Sequence, residues 1–382
     1  MQKRKNNNNS NNKLKVLVAP LNWGLGHVTR CIPIIKEIQN QHCEVILAAN
    51  DDIYFLLKKE FPTTKILPLF GYNIKYSRKS KLFLFKLLLQ LPSLMLTISK
   101  EYRWLQKAII KYQPDIVISD NRFGMYNPGL FSIYITHQLS IKTGNFFSDR
   151  MARFIHDQFI KKYDQCWVPD FKENGLAGEL SHPQKLQKNA IYIGALSRFE
   201  NMTVGDKIYN LFVSISGPEP QRTIFENIIL DQLNFFEKTA LVVRGLPAET
   251  QNITSQNSFL TIVNHLSAKD MNQAFLQSEM IICRSGYTTI MDLIKIRKKA
   301  ILVPTPGQPE QEYLASYLMG KKNFFSVKQK NFKLVDALLK AAEFPFLMRA
   351  DDMDTYKTII AEFILNVKSQ KNLQCNNNLQ NF

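Results

Sequence analysis

Residues 280–294 read Met-Ile-Ile-Cys-Arg-Ser-Gly-Tyr-Thr-Thr-Ile-Met-Asp-Leu-Ile, and this stretch decides the predicted fold. The apolar run Met280–Cys283 predicts a strand buried on both faces, as strands of parallel sheets are. Ser285 and Gly286 predict a tight turn, after which apolar residues recur at helical spacing. A helix that begins directly after a parallel strand brings free backbone N–H groups and positive dipole potential together, which suits a phosphate.

The helix after this turn also carries a candidate ribose ligand. Thr288 and Thr289 fall in its first turn, and Asp292 lies one turn further along the same face. A carboxylate there could accept hydrogen bonds from both ribose hydroxyls while the helix start holds the attached diphosphate. The alternative is an ordinary βαβ unit in which the threonines cap the helix.

Working outward, Ala300–Val303 predicts the next strand, and residues 304–312 read Pro-Thr-Pro-Gly-Gln-Pro-Glu-Gln-Glu. Each sugar hydroxyl both donates and accepts hydrogen bonds, so amide and carboxylate groups at a strand end suit a sugar. The polar side chains of this segment, Gln308, Glu310, Gln311 and Glu312, therefore form a candidate sugar site.

The chain begins with the same strand–loop–helix pattern. Leu14–Ala19 predicts a buried strand, Gly24 and Gly26 allow a tight turn, and His27 comes at the start of the next helix. The third glycine of a dinucleotide fingerprint is missing, which argues against an NAD site. A histidine in this position is a candidate general base, although a helix-capping role would use the same residue.

Two further strands of the first half end in polar residues. Asp115–Ser119 is followed by Asp120, and Ile133–Thr136 is followed by His137. Because the carboxyl ends of parallel strands share one edge of a sheet, these side chains are expected on the same rim as His27. Asp120 could orient the imidazole or act as the base itself, and His137 could line the cleft.

Together these motifs resemble the C-terminal signature of nucleotide-sugar glycosyltransferases with the GT-B architecture, in particular the family that contains MurG. The matching positions are Cys283-Arg284-Ser285-Gly286 with Thr288 or Thr289 after them, and Val303-Pro304 with Gln311 beyond. The resemblance implies that Asp292 binds ribose, where the family has glutamate. It also implies that Gln311 and Glu312 bind the donor sugar, where the family has two glutamines.

The resemblance and the residue pattern together give a predicted site. The donor side comprises Gly217, Arg222, Arg244, His265, Leu266, Arg284, Ser285, Gly286, Thr288, Thr289, Asp292, Gln311 and Glu312. The acceptor side comprises Gly24, Gly26 and His137, with His27 and Asp120 as the catalytic pair. For the two arginines at positions 222 and 244 the alternative is an ordinary exposed side chain.

The fold class predicted is α/β, with two facing Rossmann-like domains. Residues 14–200 form the acceptor domain, residues 206–350 form the nucleotide-sugar domain, and residues 351–370 form a helix that packs back on the first domain. The Asn-rich segments 1–13 and 371–382 are predicted to be disordered.

Composition adds a prediction about partners. The net charge is +17, and residues 1–115 contain 19 Lys or Arg against 7 Asp or Glu. The resulting positive electrostatic field favours binding to a polyanionic partner, either nucleic acid or an anionic membrane surface. Residues 72–111 combine lysines with an apolar stretch that is too short to span a bilayer, so they are predicted to bind a membrane surface; the alternative is a helical hairpin whose leucines fill the core.

A bound metal is predicted to be absent. The five cysteines form no CxxC pair, which indicates a reducing cytoplasm without a structural metal. Asp352-Met-Asp354 has the D-x-D pattern of another glycosyltransferase architecture. It precedes a helix instead of following a buried strand, so capping explains it and no metal is assigned.

The sequence therefore predicts a metal-independent, inverting glycosyltransferase with no cofactor. It would move a hexose or N-acetylhexosamine from a UDP-sugar to a glycan or lipid-linked acceptor, at the cytoplasmic face of a membrane. A 2-epimerase that acts on UDP-N-acetylglucosamine and a basic nucleic-acid-binding protein are the alternatives.

Overall fold

The computed structural model describes residues 13–22, 25–72, 83–142, 146–202, 205–251 and 253–380. The first domain contains a seven-stranded sheet in which every pair is parallel, in the order β3-β2-β1-β4-β5-β6-β7. Its elements are β1 Lys15–Ala19, α1 Leu25–Asn40, β2 Glu44–Ala49, α2 Asp51–Glu60, β3 Lys65–Pro68, α3 Phe83–Tyr112, β4 Ile116–Asp120, β5 Phe131–Ile135, α4 Phe146–Ile160, β6 Gln165–Val168 and β7 Ala190–Tyr192.

The second domain repeats the arrangement with a six-stranded parallel sheet, in the order β10-β9-β8-β11-β12-β13. Its elements are β8 Tyr209–Ser214, α5 Gln221–Leu233, β9 Ala240–Val243, β10 Leu260–Val263, α6 Ala268–Leu276, β11 Ser278–Cys283, α7 Tyr287–Lys295, β12 Ala300–Leu302, α8 Pro309–Gly320, β13 Phe325–Ser326 and α9 Leu334–Glu343. The predicted architecture of two parallel-sheet α/β domains is confirmed.

The strand orders locate the two places where a ligand site can form. In each sheet the strand order reverses at one point, between β1 and β4 in the first domain and between β8 and β11 in the second. In open α/β sheets the loops diverge at such a point and leave a crevice at the carboxyl ends of the strands. The predicted catalytic and donor residues follow these strands.

The last helix, α10 (Thr355–Gln380), returns to the first domain as predicted. The Phe363 ring packs edge-on against Phe131 and Trp167 of the first sheet, with ring centroids 5.8 and 5.5 Å away. Lys371 of the same helix forms an ion pair of 2.7 Å with Asp115. The helix continues through residues 371–380, which composition alone assigns to a disordered tail; residues 1–12 of the other predicted tail lie outside the described residues.

Of the segment predicted to bind a membrane, residues 72–111, the described part from residue 83 onward forms one long helix. α3 runs through Pro92 without a break, and residues 73–82 lie outside the described part of the chain. Its C-terminal half belongs to the core, because Leu105 is buried and Glu101 forms a buried ion pair of 2.7 Å with Arg122. Within the described ranges, no helix has the length and apolar character needed to cross a bilayer.

Candidate active site

The crevice of the first domain holds the predicted catalytic pair. His27 lies in the first turn of α1, which follows β1, and Asp120 is the last residue of β4. These strands are neighbours, so the two side chains meet: His27 Nδ1 lies 2.9 Å from Asp120 Oδ2. The Asp120 side chain is fully buried, whereas His27 keeps 18% of its side chain exposed.

Arg30, one helical turn after His27, forms an ion pair with Asp120. Its Nε donates to Asp120 Oδ1 at 3.0 Å, and a terminal nitrogen donates to the same oxygen. Burial alone would raise the pKa of the Asp120 carboxyl, but the charge of Arg30 and the contact with His27 lower it below its usual value. Asp120 is therefore an anion at neutral pH.

The protonation state of His27 follows from the same surroundings. Burial and the charge of Arg30 lower the pKa of His27 below its ordinary value, although Asp120 acts in the opposite direction. The imidazole is thus neutral at pH 7. Nδ1 lies 2.9 Å from Asp120 Oδ2 and 2.8 Å from a terminal nitrogen of Arg30, which can only donate. In the tautomer whose Nδ1–H donates to Asp120, Nε2 keeps a lone pair and can accept a proton.

The network continues across the cleft to the second domain. Arg30 donates to His137 Nδ1 at 3.0 Å, and because arginine cannot accept, this nitrogen carries the lone pair. His137 Nε2 must then be the protonated nitrogen, and it donates to Glu310 Oε1 at 2.8 Å. Gln138 Nε2 donates to the other Glu310 oxygen. The His137 ring also stacks on Tyr287 of α7, with centroids 4.2 Å apart.

A second contact joins the glycine-rich loop to the start of α7. Thr288 Oγ1 donates to the carbonyl of Gly26 at 3.0 Å, and a Cβ on Gly26 would lie only 3.3 Å from that oxygen. The threonine predicted to bind the donor therefore lies directly against the residue before His27. Gly24 lies outside the described residues, so its predicted acceptor-side role has no structural counterpart here.

The predicted ribose ligand, Asp292, is buried in α7 and faces the segment that links the domains. Ser197 Oγ donates to its Oδ1 at 2.7 Å, and Arg198 Nε lies 3.4 Å from its Oδ2. Burial raises the pKa of the Asp292 carboxyl, while Arg198 and Ser197 oppose that shift.

The start of α7 provides the predicted phosphate site. Gly286 is its N-cap residue, and a Cβ built there would meet no atom within 4 Å. Thr289 is half-buried in the first turn beside it. Ser285 Oγ donates to the carbonyl of Gln311 at 2.8 Å, which fixes the loop before α8 against this turn.

Arg284 holds the loops of the donor crevice in place. It is buried, and its guanidinium donates to carbonyl oxygens of the loops after β8 and β12, including Gln221 O at 2.9 Å and Val303 O at 3.2 Å. It also lies 4.1 Å from the centre of the Phe225 ring. Burial lowers the pKa of Arg284 to about 10, so the group stays charged at neutral pH.

The two other predicted phosphate-binding arginines are paired with acidic side chains. Arg222 donates to Glu226 at 2.8 Å and forms an ion pair with Glu219. Arg244 forms an ion pair with Glu226 and donates to Asn264 Oδ1 at 2.8 Å. Both cations lie near the crevice but are not exposed, which differs from the alternative of ordinary surface arginines.

The polar segment 304–312, which runs into the first turn of α8, is also bound to its own domain. Gln311 Oε1 accepts from Thr305 N at 3.0 Å, and Glu312 Oε1 accepts from Gly307 N at 3.1 Å. The Thr305 hydroxyl is different: it is buried, yet it has no hydrogen-bond partner among the residues that the structure describes. A Cβ on Gly217, whose φ is +111°, would lie 3.3 Å from that hydroxyl.

His265 and Leu266 follow β10 and are partly buried at the same sheet edge. Burial lowers the pKa of His265, and the charges of Lys59 and Arg198 lower it further. The predicted donor residues thus lie at the carboxyl ends of the second sheet's strands or in the first two turns of the helices after them.

Comparison with known proteins agrees with this arrangement. Residues 225–361 match the glycosyltransferase family 28 C-terminal domain. The chain is 22% identical over 343 residues to UDP-N-acetylglucosamine–N-acetylmuramyl-(pentapeptide) pyrophosphoryl-undecaprenol N-acetylglucosamine transferase of Buchnera aphidicola subsp. Baizongia pistaciae (strain Bp), covering 86% of this chain and 90% of the relative. The protein of the same name from Alkaliphilus oremlandii (strain OhILAs) is 26% identical over 312 residues, covering 78% of this chain and 81% of the relative. The crystal structure of the glycotransferase of kitacinnamycin superposes with a TM-score of 0.60 at 11% identity, over 94% of each chain.

The chain is a MurG-like glycosyltransferase of the GT-B architecture. The family model covers α5 to α10, and the matches to the two relatives extend over most of the chain. The fold and the resemblance read from the sequence are therefore confirmed. The roles of individual residues stay predictions.

Two residues of this glycosyltransferase site, Arg30 and Tyr287, and the partners of a third, Glu310, were not found from the sequence. Arg30 is an ordinary cation one helical turn after His27, and nothing in the local pattern separates it from a solvent-exposed arginine. Glu310 precedes the recognised pair Gln311 and Glu312, but its partners lie more than 170 positions away in the chain. Tyr287 follows a glycine turn and resembles a core residue until its ring stacks on His137.

The D-x-D segment of this glycosyltransferase lies away from the cleft. Asp354 forms ion pairs of 2.8 Å with Lys295 and Lys357, and Asp352 accepts from the backbone N–H of Asp354 at 2.9 Å. These contacts are those of a helix start. In the described part of the chain, no group of three or more His, Cys, Asp or Glu side chains is arranged to hold a metal ion.

Proposed function

We propose that this glycosyltransferase moves a hexose or N-acetylhexosamine from a UDP-sugar to a hydroxyl of a lipid-linked glycan acceptor, with inversion at the anomeric carbon. The observation that carries this proposal is the contact of 2.9 Å between His27 and the buried Asp120, on the opposite side of the cleft from α7. A neutral histidine oriented by a carboxylate can remove a proton from an alcohol.

In the proposed reaction the acceptor hydroxyl gives its proton to His27 Nε2 while its oxygen attacks the anomeric carbon. The bond between that carbon and the diphosphate breaks, and UDP leaves with the bonding electrons. Direct displacement at one carbon inverts its configuration. The leaving diphosphate would be stabilised by the N-terminus of α7, whose free N–H groups and dipole favour an anion.

Two observations support UDP as the nucleotide. Both curated relatives are named for transfer from UDP-N-acetylglucosamine. Asp292 provides a buried carboxylate one turn beyond the α7 start, where a ribose attached to that diphosphate would lie. Ribose hydroxyls would take the place of the Ser197 hydroxyl, which now donates to this carboxylate at 2.7 Å.

A lipid-linked acceptor is supported by the surface of the first domain. On α4 the side chains of Phe146, Met151 and Phe154 are 73%, 42% and 64% exposed. Arg150 and Arg153 lie on the same helix. Exposed aromatic side chains beside cations are typical of helices that lie in a membrane interface, so we propose peripheral association with the cytoplasmic face of an anionic membrane.

Labelled donor sugars test the proposal. The protein is incubated with UDP-N-acetylglucosamine or UDP-glucose, labelled in the sugar, together with bacterial membrane vesicles. Label that moves into the organic extract, with release of UDP that requires the vesicles, supports transfer to a lipid-linked acceptor. Conversion of the labelled sugar to its 2-epimer without transfer would identify an epimerase, and no change in either donor would contradict the proposal.

A further inference from the structure

The donor loop, residues 304–312, runs into the first turn of α8. Glu310 of this loop makes its contacts in a different direction from its neighbours. Gln311 and Glu312 both accept hydrogen bonds from backbone N–H groups of their own loop, at 3.0 and 3.1 Å. Glu310 instead reaches across the cleft, where one oxygen accepts from His137 at 2.8 Å and the other accepts from Gln138. It is therefore the carboxylate by which the donor loop contacts the acceptor domain.

Two further hydrogen bonds connect the contact between Glu310 and His137 to the catalytic pair of His27 and Asp120. His137 accepts from Arg30 at 3.0 Å, and Arg30 donates to the Asp120 oxygen opposite the one that faces His27. Each step fixes the orientation of the next group, because Arg30 only donates, so His137 Nδ1 accepts from it and Nε2 donates to Glu310. A continuous chain of hydrogen bonds thus runs from the donor loop to the base.

The charges of the groups in this chain of hydrogen bonds favour the state in which Glu310 contacts His137. Burial alone would raise the pKa of Glu310, but His137, His27 and Arg30, the groups that face it, lower that pKa below its usual value. Glu310 is thus a carboxylate at neutral pH. Its loop is fixed to the second domain through Ser285, which donates to Gln311 O at 2.8 Å, so these contacts exist only when the two domains approach each other.

We infer that Glu310 is a positioning residue that connects closure of the donor domain to the orientation of His27. It acts through His137 and Arg30. When the cleft opens, Glu310 moves away from His137 and the chain of hydrogen bonds ends at His137. The Arg30–Asp120 pair that orients His27 is then no longer held through His137. This inference rests on the proposed function and adds to it a reason why the base would be ordered only when the donor loop is in place.

The test is a double-mutant cycle of Glu310→Ala and His137→Ala, measured as kcat and KM with UDP-N-acetylglucosamine and membrane vesicles. Each single variant should lower kcat by about 10-fold or more, the size expected for loss of a charged hydrogen bond. The double variant should be no slower than the slower single variant, because both changes break one chain. Isothermal calorimetry should give UDP affinity within about 3-fold of the wild type, since neither residue lies among the predicted nucleotide contacts.

Two further variants separate positioning from a merely structural role. Glu310→Gln keeps one oxygen that can accept from His137 but presents its amide nitrogen to Gln138, so its kcat should lie between those of the wild type and Glu310→Ala. Glu343→Gln removes an exposed carboxylate from α9 and should leave kcat unchanged.

The inference fails if wild-type protein transfers sugar and Glu310→Ala keeps its kcat, or if the two single effects multiply in the double variant. A loss of UDP affinity in Glu310→Ala to the same extent as the loss of kcat would also overturn it, because the residue would then act on donor binding. Failure of the wild type to use the donor would instead contradict the proposed function, and UDP binding would show whether the nucleotide site exists.

Discussion

Replacing Asp120 with asparagine should disable the base without removing any atom that packs in the crevice. Arg30 donates to Asp120 Oδ1 through Nε at 3.0 Å and through a terminal nitrogen, so the oxygen of an asparagine would stay at that position. The amide nitrogen would then face His27 Nδ1, which lies 2.9 Å from the present Oδ2. Because an amide nitrogen only donates, Nδ1 must accept and the proton must move to Nε2.

The size of the effect follows from that change of tautomer. With its proton on Nε2, His27 cannot take a proton from the acceptor hydroxyl. The variant should lose the contribution of general-base catalysis, roughly 10²- to 10⁴-fold in kcat. The cost in stability should be about 3–5 kcal/mol, because the buried Arg30 guanidinium loses the carboxylate that pairs with it even though an oxygen remains as hydrogen-bond acceptor.

The assay is UDP release from UDP-N-acetylglucosamine in the presence of membrane vesicles, with UDP affinity measured by calorimetry and unfolding followed in urea. Asp336→Asn is the matched control, because this carboxylate is 53% exposed and its ion pair is with Lys340 on its own helix. It should be indistinguishable from the wild type. If Asp120→Asn keeps kcat within about 3-fold of the wild type while UDP affinity is unchanged, orientation of His27 by Asp120 is refuted.

Four further outcomes can be measured. Thr305→Val should raise the free energy of unfolding by about 1 kcal/mol, because it replaces a buried hydroxyl that lacks a partner among the described residues; an unchanged or lower value in urea titration would mean that the hydroxyl is satisfied. Asp292→Asn should weaken binding of UDP and of UDP-sugar equally, by about 10-fold or more, and unchanged UDP affinity in calorimetry would remove Asp292 from the site. Burial lowers the pKa of His156 to about 4, so its imidazole stays neutral in the folded state, whereas in the unfolded chain it takes up a proton below pH 6.5. The wild type therefore loses up to about 3 kcal/mol of stability between pH 6.5 and pH 4 through this residue, and His156→Phe should abolish that loss. Identical acid unfolding of both proteins would contradict this. Phe146→Ser combined with Phe154→Ser should reduce co-sedimentation with anionic vesicles, and equal sedimentation of the variant and wild type would show that α4 does not contact the membrane.

The dependence on pH also follows from the site. The pKa of His27 is lowered, so its neutral form persists below pH 6.5. The transfer rate should therefore stay level through neutral pH and decline only in more acidic buffer, where the base becomes protonated. A rate that falls between pH 8 and pH 7 would place the titrating base elsewhere. Initial rates at saturating donor, measured across this range, give the comparison.

The fold was predictable from the sequence because its determinants are local. Buried parallel strands such as Met280–Cys283 read as continuous apolar runs, and the glycine turns after them mark the carboxyl edge of each sheet. The positions of His27 and Asp120 followed from the rule that strand ends share an edge. Their contact of 2.9 Å depends on β1 and β4 being neighbours, which the sheet order shows and the sequence pattern does not.

Contacts between distant parts of the chain were not predictable. The pairing of Glu310 with His137 joins positions 173 residues apart, and no periodicity or motif carries that information. The use of Arg284 to hold carbonyl oxygens depends on the segments after β8 and β12 converging on one guanidinium. The course of α3 was also ambiguous, because Pro92 indicates an interruption in sequence, yet the helix passes through it.

The central claim is that His27 removes the proton from the acceptor hydroxyl, and the turnover rate of His27→Ala at saturating UDP-N-acetylglucosamine and membrane vesicles tests it most directly. The account predicts a fall of roughly 10²- to 10⁴-fold in kcat. UDP affinity should be unchanged, because the nucleotide is proposed to bind the other domain. A His27→Ala enzyme that turns over at the wild-type rate would contradict the account.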